Sequence, residues 1–539
     1  MVRQSAQPTA SLALLLVTAL AACSPSDQTL RAVGLIEGNV GGVSADEPRA
    51  ALVARSILGN GGNAADAAVA LYFTTAVTFP ASASLGAGGA CLVFDAENRT
   101  MEALEFPATV PAGTTDKTAL KVAIPGAVRG MFALHARYGN LAWAQLLAPA
   151  EQAARLGHPM SRALATDLER VAGPLFNNPN IAAVFGRDDG SPRGEGDMLV
   201  QLELASVISQ LRIRGPGGFY SGALARQLVD AVNAGGGALT IEDMRGYRPV
   251  WRETLQVPWG NDVLHTMAPP LPGGVSLFQM WRMLTRDDRY ADAAPDLRRH
   301  LLAEASMRAF ADRSAWRAAG AANGVDLISD DHIDDLMTGY SASQHMAANE
   351  LVPAPVKHRE SPSGTSLTVV DGAGNAVACS FTLNNFFGRG WMAPGTGIIM
   401  AASKPPDRSA LSALAPVMLV NHNSGNFIFA AAASGGAAAP SALIDVMART
   451  LIDGQSLIEA IAAPRLYHGG RPDVAIVEPG EPVAVLDGLR QRGHLVTQAP
   501  EIGRVNAIYC RGGMQGNAAS CRVSADVRGH GLASFVQFD

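Results

Sequence analysis

GTSLTVVDGAGNAVACSFTLN, residues 364–384, holds two apolar runs on either side of the turn GAGN (372–375). SLTVVD (366–371) and AVACSFTLN (376–384) place apolar residues at both odd and even positions, so neither strand has a solvent face. Such strands belong between covering layers. Working downstream, PVMLV (416–420), NHNSGN and FIFAAAA (427–433) repeat the pattern, and Gly435-Gly436 then opens a helix from Ala437 to Ile452. Further strands are expected around 474–478, 505–510 and 521–523. Upstream, 46–58 has helical spacing and stops at Gly59-Asn60-Gly61-Gly62. Asn63 is placed to cap a second helix, Ala64 to Val77, with Asp66 in its first turn. The glycine loop 85–90 leads to a hairpin of 90–95 and 101–106, and 125–250 reads as mainly helical, with Asp197 and Thr240 at cap positions. Helices are expected from PPLPGG (269–274) onward and over 300–316, and the polar stretch 317–364 reads as an internal linker. Two-faced strands with helices before and after predict an α/β chain folded as a four-layer α-β-β-α sandwich.

Composition narrows the function classes. The chain has 539 residues, 48% hydrophobic and 17% charged, with a net charge of −6 and no Lys/Arg cluster. That balance excludes a disordered chain and predicts no nucleic-acid partner.

At the N-terminus, Arg3 precedes an apolar run from Ser11 to Ala22. A membrane-spanning helix needs roughly 20 such residues, so the run reads as a secretory segment, residues 1–22. Leu20-Ala21-Ala22-Cys23 resembles the lipobox of bacterial lipoproteins, in which the cysteine receives lipid; an ordinary signal peptide is the alternative. The mature body is then expected in the periplasm, held to the envelope only by a lipid at Cys23. Cys91 and Cys379 lie in apolar runs and read as buried thiols. Cys510 and Cys521 flank a turn-rich stretch between short strands, where an oxidising compartment permits a disulfide. The histidines are scattered, without HExxH or CxxC, so spacing predicts no metal and no cofactor.

Several motifs occur in one order along the chain: GGNAADAAVAL (61–71), LGAGGACLVFD (85–95), PGAVRG (125–130), TIEDMRGY (240–247), AEASMRAFADRS (303–314), TVVDGAGNAVACSFTLN (368–384) and SGG (434–436). Together they resemble the gamma-glutamyltransferase (gamma-glutamyl transpeptidase) family of N-terminal-nucleophile hydrolases, from about Gly34 to the C-terminus. The resemblance implies a precursor that cuts itself before a threonine. That threonine's hydroxyl then attacks a gamma-glutamyl amide of the glutathione type, and its freed amine serves as base. It implies that Gly435 and Gly436 form the oxyanion hole, and that Thr382, Asn384 and Ser412 support the nucleophile or bind a small amide or peptide substrate.

Against that pattern, 364–370 departs at its first residue. Gly364 lies at the nucleophile position and has no hydroxyl. Thr365, the candidate replacement, is one residue late, which turns a strand side chain to the other face unless the chain bulges. Ser366 keeps the face but starts about 7 Å too far along. Pro107 stands where the family grips an α-carboxylate with arginine, and Ala401-Ala402-Ser403-Lys404 replaces its acidic stretch, leaving Asp407 as the nearest carboxylate. Of the family's Ser-Ser pair, Ser412 persists beside Ala413. Three outcomes stand open: a hydrolase or acyltransferase with a shifted nucleophile, a non-catalytic lipoprotein that keeps the fold, or an acylase for a less polar acyl amide. The first predicts a cut at Gly364–Thr365 and two paired pieces, a large-subunit-like 23–364 and a small-subunit-like 365–539.

Overall fold

The computed structural model describes Met1 and residues 38–318, 323–355, 363–403 and 410–538. The candidate lipidation site Cys23, Lys404 and Asp407 lie outside the described residues. In chain order, the strands of the two main sheets are β1 (Gly38–Ala45), β2 (Gly88–Asp95), β3 (Thr100–Phe106), β4 (Val250–Arg252), β5 (Leu255–Trp259) and β6 (Asp262–Thr266). They continue with β7 (Thr365–Asp371), β8 (Ala376–Thr382), β9 (Val417–Asn421), β10 (Asn426–Ser434), β11 (Arg504–Cys510), β12 (Cys521–Ser524) and β13 (Leu532–Phe538). The helices that cover them include α1 (Pro48–Gly59), α2 (Ala64–Thr78), α3 (Pro272–Thr285), α4 (Pro295–Ala318) and α5 (Ala439–Met447).

The first sheet has the order β13-β1-β7-β8-β2-β3-β4 and the second β12-β11-β10-β9-β6-β5. The two sheets meet through Leu92, Phe94, Val370, Ala376 and Ala378 on one side and Met418, Val420, Ala430, Ala432 and Ile508 on the other. The opposite face of β7 and β8, with Leu367, Val369, Val377 and Phe381, packs on α1 and α2. The second sheet's outer face packs on α3, α4 and α5. This is the expected α-β-β-α sandwich, and both faces of its central strands are covered, as their unbroken apolar runs require.

Helix α2 is buried along its whole length, which its alanine-rich, all-round apolar surface permits. Its cap is the expected one. Asn63 accepts from the Asp66 N–H, and the Asp66 carboxylate accepts from Asn63 N and from the Asn140 and Leu141 amides. Thr240 caps Ile241–Gly246 in the same reciprocal way. Asp197 caps no helix; its carboxylate accepts from Gly194 N and Arg187.

Two sequence expectations change. Cys91 and Cys379 are not free thiols but a disulfide, because the register of β2 against β8 sets them directly opposite one another. Cys510 and Cys521, opposite in β11 and β12, form the expected second disulfide. The stretch expected as a linker holds a helix, Asp330–Leu336, and packs on α4, where Arg308 donates to the Leu336 and Thr338 carbonyls. Nor do the two halves of the chain separate in space: β7 and β8, after that stretch, lie between β1 and β2, before it. Among the described residues, no helix is long and apolar enough to cross a membrane.

Candidate active site

The site gathers where the start of β7, the end of β8 and the end of β10 meet. Gly364 has φ +139°, a left-handed-side conformation that glycine supports. A Cβ built there would lie 3.5 Å from Ser434 Cβ and 3.0 Å from the Phe381 carbonyl oxygen. A side chain at 364 would therefore point at the second sheet, beside the residue that precedes Gly435-Gly436. Those two glycines turn the chain from β10 into a short 3₁₀ segment, Gly436–Ala438, ahead of α5. Gly435 has φ +125°, and a Cβ there would come within 2.6 Å of Gly503 Cα, so close backbone packing demands glycine.

Thr365 goes elsewhere. It pairs with Phe381 and is buried, and its Oγ1 donates to Asp46 Oδ2 at 3.0 Å. Asp46 follows β1, on the flank of β7 away from β8. Its carboxylate also accepts from Ser366 N at 3.0 Å and from Asn506 Nδ2 at 2.8 Å. Burial pushes the Asp46 carboxyl up to about 6, against Arg504 and these hydrogen bonds, which pull it down. Ser366 faces the second sheet, donating to the Ala432 carbonyl and accepting from Asn506 Nδ2. Asp46, Thr365, Ser366 and Asn506 thus form one buried polar knot between the sheets.

Thr382 and Asn384 lie on the other flank. Thr382 pairs with Gly88, and its Oγ1 accepts from Asn384 N at 2.9 Å. Asn384, at φ +67°, donates from Nδ2 to the Ala402 carbonyl at 2.8 Å. The 401–403 segment is stitched to its neighbours through Ala123 N to Ala401 O, Ala402 N to Leu383 O and Ser403 N to Lys121 O. The Pro107–Ala108 backbone presses on Gly88, where a Cβ would sit 1.9 Å from Ala108 N. Pro107 and Ala402 thus border the Thr382–Asn384 corner, where the sequence had already placed apolar replacements. Ser412 belongs to the short segment Ala410–Ala413, which packs on Gly436–Ala438 and on β8; it is buried and accepts from the Arg313 guanidinium of α4.

The structure therefore brings together Gly364, Thr382, Asn384, Gly435 and Gly436, with Ser434 at the same junction. It does not bring Thr365 into that group. Sequence reasoning missed Asp46, Asn506 and Arg313. Arg313 lay inside a quoted motif, whereas nothing in the spacing marked the other two.

A gamma-glutamyltranspeptidase family profile matches residues 50–536. The chain belongs to the gamma-glutamyltranspeptidase family. Among its relatives, the acylase ACY 1 proenzyme of Pseudomonas sp. (strain SE83) is 31% identical, covering 87% of this chain and 90% of the relative. The glutathione hydrolase proenzyme of Escherichia coli (strain K12) is 28% identical, covering 88% of each. Among solved structures, a cephalosporin acylase from Bacillus halodurans superposes with a TM-score of 0.78 over 93% of this chain and 96% of that one, at 23% identity. At that identity it supports the fold alone. Both named relatives are described as proenzymes.

Proposed function

We propose that this chain is a gamma-glutamyltransferase-like protein that stays one uncut polypeptide and keeps the family's amide site as a binding site. It would be exported and tied to the envelope by lipid at Cys23. One observation carries the reading: the side-chain direction that meets Ser434, the residue before Gly435-Gly436, belongs to Gly364, which has no hydroxyl, while the Thr365 hydroxyl is bonded to Asp46 on the far flank of the strand. Acyl transfer by the family route needs an oxygen on the terminal residue, and none is supplied there.

The ligand class follows from what borders the Thr382–Asn384 corner. A glutamyl head group brings two opposite charges, and among the described residues that border this corner Pro107, Ala401 and Ala402 carry none to meet them. Leaving a ligand charge unpaired in a buried site costs several kcal/mol, roughly 3–5. A small amide with a less polar acyl group fits better, its carbonyl oxygen turned to the Gly435-Gly436 backbone.

Denaturing electrophoresis of the mature protein tests the reading, and it must be run with reductant. The Cys91–Cys379 disulfide joins residues on either side of position 364, so cut halves would migrate together without it. A single full-length band is expected; two bands at the sizes of 23–364 and 365–539 overturn the reading. A second reading, an acylase with a shifted nucleophile, has one observation in its favour: Thr365 donates its hydroxyl to a carboxylate whose pKa of about 6 suits a general base. Turnover of a neutral acyl amide, abolished in Thr365→Ala, would establish it in place of the first.

A further inference from the structure

Away from the amide site, one histidine is held between two carboxylates beside α4. His345 lies in the stretch after Asp330–Leu336, and its ring meets Glu304 of α4 and Asp473 of the loop between Leu466–Tyr467 and Ala475–Val477. Nδ1 stands 2.6 Å from Glu304 Oε1, and Nε2 stands 3.1 Å from Asp473 Oδ1. The same two carboxylates take backbone donors from the same stretch: Met346 N reaches Glu304 Oε1 at 3.3 Å, and Ala348 N reaches Asp473 Oδ2 at 2.8 Å. Further along, Ala348 and Leu351 pack with Met307 and Ala311 of α4. Pro355 lies so close to Gly470 that a Cβ on that glycine would sit 2.5 Å from the proline's own.

These contacts fix the protons. A neutral imidazole has one N–H, so a ring with a carboxylate oxygen at each nitrogen aims a lone pair at an anion unless it carries both protons. Both acids are ionised. Against burial, which raises it, His345 and Arg308 hold the Glu304 carboxyl below its usual value. Against burial again, His468, the Ala348 amide and His345 hold Asp473 below the usual carboxylate range. In turn, Glu304 and then Asp473 overcome burial and lift His345 above the ordinary histidine value. The other groups facing the ring are accounted for. Arg308 sits 3.1 Å from Glu304 Oε2, and His468 Nε2 is 3.2 Å from Asp473 Oδ1. Arg492, whose carbonyl accepts from His345 N, gives its guanidinium to Asp296 at 2.9 Å. His494 stacks with its centroid 4.2 Å from that of His345, and its Nε2 donates to His300 Nδ1, while His300 Nε2 donates to the Ser341 carbonyl. Both of those rings are satisfied while neutral, and burial followed by the His345 charge pushes His494 down to about 2. The ring's positive charge therefore belongs to His345. When that proton leaves, Glu304 and Asp473 face one guanidinium with an anion left over.

We propose that His345 is a pH-sensitive latch: as an imidazolium it ties residues 341–355 to α4 and to the 468–473 loop, and on losing its proton it lets them go. The stretch it holds precedes β7, so the latch governs the approach to the strand whose start forms the amide site. It depends on neither reading of Thr365. The sign follows from the charge. Below 6.5 the imidazolium is present in the folded and unfolded chains alike and its contribution is complete; it is lost as pH rises through the higher folded value.

The test is hydrogen–deuterium exchange of the full chain between pH 5.5 and 9, read as protection factors corrected for the intrinsic pH dependence of exchange. Protection of peptides from 341–355 should fall along a one-proton curve with its midpoint above 6.5, by tenfold for each pH unit that separates the midpoint from 6.5. Peptides from the buried helix α2 should keep theirs. His345→Gln should flatten the curve. Asp473→Asn, which leaves an oxygen for Ala348 N but removes one anion from the ring, should move the midpoint down. If His345→Gln fails to fold, the Asp473→Asn midpoint decides, a quantity that a purely structural contact would leave in place. Wild-type protection that is flat across this range, an Asp473→Asn midpoint equal to that of wild type, or α2 opening in parallel would each overturn the latch.

Discussion

Replacing Asp46 by Asn tests the buried carboxylate on which a general-base role toward Thr365 depends, through a stability measurement that needs no substrate. In the folded chain the Asp46 carboxyl titrates near 6, raised from 3.8 by burial. Below pH 3.8 the group is protonated in both folded and unfolded chains. Between 3.8 and 6 the native state keeps a proton that the unfolded state releases, so stability falls as pH rises. Above 6 the loss is complete. At ~1.4 kcal/mol per pH unit, this window is worth about 3 kcal/mol. Asp46→Asn removes the titration and also breaks contacts, since an amide nitrogen would face Asn506 Nδ2, itself a donor. The two effects separate cleanly: the broken contacts give a pH-independent offset, and only the carboxyl gives a slope. Urea unfolding of both chains at pH 4.5, 5.5, 6.5 and 7.5 yields the difference curve. Wild type should lose most of that 3 kcal/mol relative to Asp46→Asn across this range. A flat difference curve would mean that Asp46 ionises like an exposed carboxyl, and the case for it as a base to Thr365 would go with its burial.

Other outcomes follow from the same geometry. Gly364→Thr, which restores the hydroxyl type at the nucleophile position, should destabilise the uncut chain by about 1–3 kcal/mol, because φ +139° is strained for a β-branched residue; a Tm equal to wild type would contradict the backbone described. Replacing Cys91 and Cys379 together by Ala removes a cross-link spanning 288 residues, for which the loop-entropy estimate is about 5–6 kcal/mol as an upper bound, read as a lower denaturation midpoint. Asn384→Ala removes the donor to Ala402 O and should weaken binding of a neutral acyl amide, measured by calorimetry, while the Asp46→Asn chain binds it as wild type does.

Much of the architecture was legible because strands buried on both faces leave a direct mark. Unbroken apolar runs at 366–371 and 376–384 can only sit between layers, and the Asn63–Asp66 spacing announces a capped helix that the structure contains. The disulfide at Cys91 was not legible, since two cysteines in separate apolar runs become partners only through strand register. Asp197 misled because an acidic residue ahead of a helical stretch serves an arginine as readily as a helix end, and here Arg187 takes it. At the site, strand alternation turns Thr365 away from the side-chain direction of residue 364 unless the chain bulges, and it left Thr365 open as a replacement. Alternation says nothing, however, about what the displaced hydroxyl meets. Asp46 lies 319 positions away in sequence and joins the site only because β1 pairs with β7.

That pairing also explains how the fold accommodates glycine at position 364. The corner that includes Gly364 is held by groups other than its side chain. Thr382 is set by its pairing with Gly88, Asn384 by Thr382 and Ala402, and Gly435 by its approach to Gly503. The start of β7 is fixed independently, through the Asp46 carboxylate on Thr365 and Ser366 and through Asn506 from the second sheet. None of these contacts uses an atom that a side chain at 364 would supply. Glycine at 364 therefore leaves the shape of this corner intact, and its φ of +139° is one that glycine adopts without the strain a side chain would bring.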